Sequence, residues 1–233
     1  MVKRVGVIHY TGPRGLVGGV EVVIDYHARF LSQAGYEVHL IFGNGGGVEG
    51  KNVIDHIVPE ISPKNPHVMK VQDQILREEK ETEDFARLKE RIKTEVLDAL
   101  SDVKNCMVHN IPSMPFNFAA TAAINEISDT SDIRMIFWLH DSALLREEWR
   151  DRIGKFPLTL LHHKSLRTVF VTPTHSRARQ LERLDEPYRI EGAMVIPNGV
   201  FIEEYIKIDE TTKKLMKKLG LHFENFIIVS PVR

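Results

Sequence analysis

Eight residues near the N-terminus, Gly12-Pro13-Arg14-Gly15-Leu16-Val17-Gly18-Gly19, separate two segments of different periodicity and so narrow the choice of fold. Before them stands a compact apolar run, Val5-Gly6-Val7-Ile8-His9, which reads as a buried strand. After them Val20, Val23, Ile24, His27, Phe30, Leu31 and Ala34 recur at helical spacing, and Gly35 suits the end of that helix. Strand, glycine turn and helix N-terminus together present free backbone N–H groups and the positive end of a helix dipole to an anion, usually a phosphate. Glycine leaves room for a ligand to approach the backbone and allows left-handed angles. The plainer alternative is that these glycines only make a tight turn.

The turn is not a Walker loop, because no Gly-Lys-Ser/Thr follows, and its glycines do not fall into G-x-G-x-x-G. A dinucleotide site would also want an acidic residue at the tip of the second strand. That strand, Tyr36 to Phe42, runs into Gly43-Asn44-Gly45-Gly46-Gly47, and the first acid beyond it is Glu49. A nicotinamide-type site is therefore disfavoured.

The rest of the chain alternates strand and helix. A short strand is expected at Val53–Val58, and Pro63 and Pro66 mark a loop. One long helix or two cover Val68–Leu100, whose charged middle, Arg77–Asp84, reads as a solvated face or a break. Strands follow at Cys106–His109, Met135–Leu139, Val169–Val171 and Met194–Ile196. Helices are expected at Phe116–Ile127, around Leu158–Leu166 and at Ser176–Leu184. Repeated βαβ units predict an α/β fold with a Rossmann-like, doubly wound, mostly parallel sheet. The near-continuous apolar run Met135–Leu139 fits a sheet covered on both faces.

Ligands in such folds bind at the carboxyl ends of the strands. His9, Asn110, His140, Thr172 and Asn198 all fall there, so they and the glycine turn are expected to ring one crevice.

Composition excludes several classes. The net charge of −1 over 233 residues leaves no dominant basic surface, so nucleic acid is not the expected partner. The single cysteine, Cys106, rules out an internal disulfide and a cysteine-rich metal site, and its apolar setting reads as core rather than nucleophile. The N-terminus passes straight into the first strand without a signal-peptide pattern, and no apolar run approaches membrane-spanning length. A cytoplasmic protein is expected, with peripheral membrane contact left open.

Four motifs in this order resemble retaining glycosyltransferases of the GT-B fold, family 4: Gly18-Gly19-Val20-Glu21, Leu139-His140-Asp141, Val171-Thr172-Pro173-Thr174-His175-Ser176, and Ile196-Pro197-Asn198-Gly199-Val200. The resemblance covers essentially the whole chain. It implies that residues 1–205 are the Rossmann-like acceptor-binding domain, and that 206–233 are a linker and the first strand of a truncated donor-binding domain. It also implies that Gly18 and Gly19 approach the donor diphosphate, and that His140, followed by Asp141, sits beside the reacting sugar. Asn198-Gly199 would border the hinge, and Arg233 would grip the diphosphate. Asn110 and Glu21 are candidates for the acceptor side.

The implied substrates are a UDP- or GDP-hexose and an unidentified acceptor, with no metal and no cofactor. Phe201 replaces the family's usual Asp after Asn-Gly-Val, and Pro231-Val232 precede Arg233 where the family usually has Gly. The expected function is the N-terminal part of a hexosyltransferase, inactive without its C-terminal domain. The rivals are a standalone acceptor- or nucleotide-binding module and another GT-B protein, such as a nucleotide-sugar epimerase. Glutamates lining the first domain's cleft would support the epimerase, and no set of them is evident in the amino-acid sequence.

Local alternatives accompany the site residues. Asp141 reads equally as a helix cap for Ser142 onward, and Ser176 as a cap in preference to an anion site with Arg177 and Arg179. His162-His163 lack ligand partners at metal spacing. Lys213, Lys214, Lys217 and Lys218 read as a solvated helix face, with a lipid-headgroup contact as the minority alternative.

Overall fold

A computed structural model of the chain describes residues 3–14, 18–201 and 209–220. The chain divides into two compact units, Met1–Gly199 and Val200–Arg233. The first is built on one seven-stranded sheet: β1 (Lys3–Thr11), β2 (Tyr36–Asn44), β3 (Val53–Ile57), β4 (Asn105–His109), β5 (Arg134–Trp138), β6 (Thr168–Thr172) and β7 (Met194–Val195). The order across the sheet is β3-β2-β1-β4-β5-β6-β7, and every pairing is parallel. The direction of winding reverses between β1 and β4. Their carboxyl ends therefore border the crevice where open α/β sheets take ligands.

Helices cover both faces. α1 (Gly19–Gln33) packs on one face over Val5, Val7, Val38, Leu40, Met107, Trp138 and Val171. α2 (Pro66–Glu78), α3 (Glu83–Ala99), α4 (Phe118–Thr130) and α5 (His175–Glu182) belong to the larger core with Ile8, Ile41, Cys106, Val108, Met135 and Phe137. Along each strand alternate residues enter alternate cores, as the period-2 pleat requires. Gly6 leaves the space to its neighbours: a Cβ there would lie 2.6 Å from Leu100 Cδ2 and 2.8 Å from Cys106 Sγ, so two enclosed side chains would have to shift. α3 shows why these segments are helical. Phe85, Leu88, Ile92 and Val96 form one buried stripe, each such side chain stabilising by about 1.5–3 kcal/mol when fully buried.

The charged stretch before α3 is a break. Glu79 ends α2 in the left-handed region at φ 50°, and the Thr82 hydroxyl accepts from Phe85 N to start α3. Pro66 is the first residue of α2 rather than part of a loop, with the Asn65 side chain accepting from His67 N and Val68 N. A proline there gives up only an N–H that no helical carbonyl would accept.

The helix expected around Leu158–Leu166 does not form. Only a 3-10 turn, Leu158–Leu160, is present. Leu160 O is taken by Asn125 Nδ2 at 2.8 Å, His162 N donates to Pro112 O at 2.9 Å, and His162 itself has φ 57°. Tertiary partners have taken the groups that a helical ladder would use. α5 is capped by Thr174, whose hydroxyl accepts from Arg177 N, and not by Ser176, which lies inside the helix.

In the second unit, Asp209 caps α6 (Glu210–Leu219), and its carboxylate accepts from Thr212 N at 2.7 Å. Residues 221–233, with the expected strand and Arg233, lie outside the described residues. No helix among the described residues is long and apolar enough to cross a membrane.

Candidate functional site

Side-chain alternation places the site. Val5, Val7 and His9 share one face of β1; Met107 and His109 share that face of β4; Ile136, Trp138 and His140 continue it along β5 and just beyond. Because β1, β4 and β5 are neighbours, three histidines line up at adjacent strand ends, on the α1 side.

The line is bonded. His9 Nδ1 donates to His109 O at 2.9 Å, since a carbonyl can only accept. His109 Nδ1 and His140 Nε2 are 3.0 Å apart, and their rings stack with an 18° interplanar angle. Trp138 stacks on His109 with a 21° interplanar angle, and His27 of α1 packs against Trp138 at a 59° tilt with centroids 4.4 Å apart. His109 is fully enclosed, so burial holds its imidazole well below the usual histidine value, assisted by His140, His27 and His9. Burial lowers His140 and His27 to about 4 each. At neutral pH these three rings are uncharged.

Sequence reasoning placed His140 here and missed His109 and His27. The available signal was that His109, like His9, ends an apolar strand; that it shares a face with His9 and His140 follows from the register Val7↔Met107 and His109↔Trp138.

Asn110 sits in the left-handed region at φ 59°, and its Oδ1 accepts from His140 N at 3.0 Å and Asp141 N at 3.4 Å. Asparagine tolerates this conformation better than most residues. Its side chain therefore pins the loop that carries His140. Asp141 is pinned too. Its carboxylate accepts from Ser142 N at 2.8 Å and pairs with Arg146 and, at 3.2 Å, with Arg177. Burial by itself would raise this carboxyl, but the Arg146 and Ser142 hydrogen bonds and the two guanidinium charges bring it below the ordinary value. The cap of the following 3-10 turn is Ser142, whose hydroxyl accepts from Leu144 N. Asp141 acts one residue earlier and ties that turn to α5.

The N-terminus of α1 lies beside this line. Gly18 is its cap, in extended backbone. Glu21 folds back so closely that a Cβ on Gly18 would fall 2.0 Å from Glu21 Oε2, while Glu21 Oε1 lies 3.8 Å from His9 Nε2. A Cβ on Gly19 would meet nothing within 4 Å. The first helical residue is thus open to approach, and a carboxylate stands next to it.

Other expected members are elsewhere or engaged. Thr172 is fully buried, and its hydroxyl donates to Thr174 O at 3.2 Å, so it shapes the turn instead of lining the crevice. Asn198 and Gly199 are exposed, and a Cβ on Gly199 would lie 3.5 Å from the Phe30 ring in the last turn of α1. They are not bonded to the histidine line. His162 is a core residue, with Ser142 Oγ and Tyr188 O as partners, and His163 pairs with Asp129. No group of three or more His, Cys, Asp or Glu among the described residues could hold a metal ion. A surface groove lined by His67, Asp84, Arg87, Glu90 and Arg91 involves only α2 and α3 side chains, none at a strand end.

The sequence relationships point to the same part of the fold. The model of the family described as Glycosyltransferase Family 4 matches residues 17–204, most of the chain. No curated protein matches it. The matched span takes in the α1 N-terminus and the ends of β4, β5, β6 and β7.

Proposed function

Because the chain belongs to glycosyltransferase family 4, we propose that it forms the acceptor-binding part of a retaining enzyme that moves a hexose from a nucleotide-diphospho-sugar to an acceptor hydroxyl. The observation that carries this reading is the line of His9, His109 and His140 across the reversal point of the sheet, beside the open N-terminus of α1.

In this reading the hexose lies against His140 with its diphosphate towards Gly18 and Gly19. There the N–H groups of the first helical turn face developing negative charge. The acceptor oxygen bonds to the anomeric carbon as the bond to the diphosphate oxygen breaks. The bonding electrons leave with the diphosphate, which also takes the acceptor's proton, and attack from the leaving-group side retains configuration. Glu21 is a hydrogen-bond acceptor for a hydroxyl-bearing acceptor, and because its carboxylate stands against Gly18, the diphosphate approaches from the open side at Gly19. Asn110 and Asp141 hold the His140 loop, and tight positioning is itself a large part of catalysis. A second domain would supply the remaining donor contacts.

Glu21 also favours a second reading, another GT-B activity such as nucleotide-sugar epimerisation, in which acidic side chains line the cleft. One assay separates the readings. The full-length protein is incubated with UDP- and GDP-hexoses, with and without hydroxyl-bearing acceptors, and nucleoside diphosphate and sugar products are followed by NMR. Transfer predicts acceptor-dependent release with retained configuration. His140→Ala is expected to lower turnover by about 100-fold or more while the donor Kd changes by less than about threefold. Equal turnover in the variant removes His140 from the mechanism. Epimerised sugar without transfer selects the second reading, and acceptor binding without any release selects a binding module.

A further inference from the structure

His109 belongs to the line but takes no step in the transfer described above, and it is the most enclosed polar side chain of that line. Its two nitrogens differ. Nδ1 meets His140 Nε2 at 3.0 Å, while Nε2 is buried with no partner. Trp138 Nε1 and His27 Nδ1 are buried and unpartnered in the same stack, where the His109 and Trp138 ring centroids are 5.7 Å apart and those of His109 and His27 are 5.3 Å apart.

We propose that His109 is a positioning residue that fixes the tautomer of His140: it donates from Nδ1 to His140 Nε2, so that the proton of His140 sits on Nδ1. The inference rests on the reading of His140 as the side chain that meets the ligand.

Two neutral arrangements can fill the 3.0 Å contact. In one, His109 Nδ1–H donates, His109 Nε2 is a bare lone pair and His140 carries its proton on Nδ1. In the other, His140 Nε2–H donates, and His109 must carry its proton on the enclosed Nε2. That would bury a second N–H without an acceptor beside Trp138 Nε1–H, which can only donate. Buried N–H groups left without an acceptor are rare because nothing replaces the lost water. The first arrangement leaves His109 Nε2 a bare lone pair in the cluster that holds Trp138 Nε1–H, and electrostatics favours it.

The other nitrogen of His140, Nδ1, bonds to no atom of the described residues and is not among their enclosed unpartnered atoms. With its proton fixed there, His140 offers the crevice a hydrogen-bond donor. It would bind an oxygen of the sugar or of the leaving group and would not take a proton from the acceptor, in keeping with transfer of that proton to the diphosphate. The ionisable groups that act on the pair are His9 from β1 and His27 from α1, and Glu21 lies 3.8 Å from His9 on its far nitrogen.

The test is long-range ¹H–¹⁵N correlation NMR of the ¹⁵N-labelled full-length protein at neutral pH, which reads which ring nitrogen of each histidine carries the proton. The expected result is Nδ1–H for both His140 and His109. In His109→Leu, which has no donor, the His140 proton should move to Nε2 or spread over both nitrogens. In His109→Asn, whose amide N–H stands near the place of Nδ1, it should stay on Nδ1. A wild-type His140 protonated on Nε2 overturns the proposal even if neither variant folds, and so does a His109→Leu spectrum with the His140 proton still on Nδ1. The readout needs no substrate, so a failure of the transfer assay and a failure of this proposal are distinguishable.

Discussion

Removing the Asn110 side chain tests how the crevice is held. Asn110 combines two roles at one position: it occupies φ 59°, and its Oδ1 accepts from His140 N at 3.0 Å and Asp141 N at 3.4 Å. The 3.0 Å bond is the strong one, and because it is only part-buried, leaving its N–H unpaired costs about 1–2 kcal/mol, the lower part of the range for an enclosed donor. The left-handed conformation costs most residues about 1–2 kcal/mol more, a cost from which asparagine is largely and glycine wholly exempt. Asn110→Gly therefore loses the clamp alone, about 1–2 kcal/mol, and Asn110→Ala loses the clamp and adds strain, about 2–4 kcal/mol. Both tryptophans, Trp138 and Trp149, lie in the first unit, so urea unfolding followed by their fluorescence reports that unit. Asn110→Asp, which keeps the acceptor, should recover most of the loss. The reasoning is refuted if Ala and Gly variants unfold at the wild-type urea midpoint, or if Asp is no better than Ala.

Other expectations are independent of this one. Gly43→Ala would put a Cβ 2.1 Å from Ser62 N and 2.6 Å from Ser62 Cα, backbone that cannot swing aside, so a loss of about 1–3 kcal/mol is expected in thermal or urea melts. Gly19→Ala meets nothing within 4 Å and should change stability by less than about 1 kcal/mol, while donor binding falls if the diphosphate contacts that backbone. His162 is buried and lowered to about 4 by burial. Between the ordinary histidine value and about 4 the unfolded chain binds a proton that the folded chain refuses, so stability should fall as pH drops through that window. His162→Asn, which suits φ 57°, should flatten the slope by up to about 1.4 kcal/mol per pH unit; an unchanged slope contradicts the assignment. Cys106 is fully enclosed and burial pushes its thiol up, so a thiol reagent should label it only in denaturant.

Much of the architecture was readable from local pattern. Apolar runs of strand length, helical stripes such as Phe85-Leu88-Ile92-Val96 and the glycine turn lead directly to a parallel α/β sheet, because period and turn chemistry are properties of neighbours in the chain. Residues 158–166 show the limit. Their pattern is helical, but Asn125 and Pro112 claim the backbone groups. Ser176 shows it at smaller scale, since Thr174 was equally suited to cap α5 and the observed backbone start favours it.

The site divides along the same line. Alternation within β1, within β4 and along β5 is a property of the amino-acid sequence alone, while the register Val7↔Met107 and His109↔Trp138 puts His9, His109 and His140 on one face. That they touch follows from the strand order, which brings together residues 100 apart in the chain at one contact and 31 apart at the next. The left-handed Asn110, the enclosed Nε2 of His109 and the carboxylate of Glu21 beside His9 depend on the same juxtaposition. Periodicity encodes which face a side chain joins; desolvation and hydrogen bonding between faces exist only once the strands are side by side.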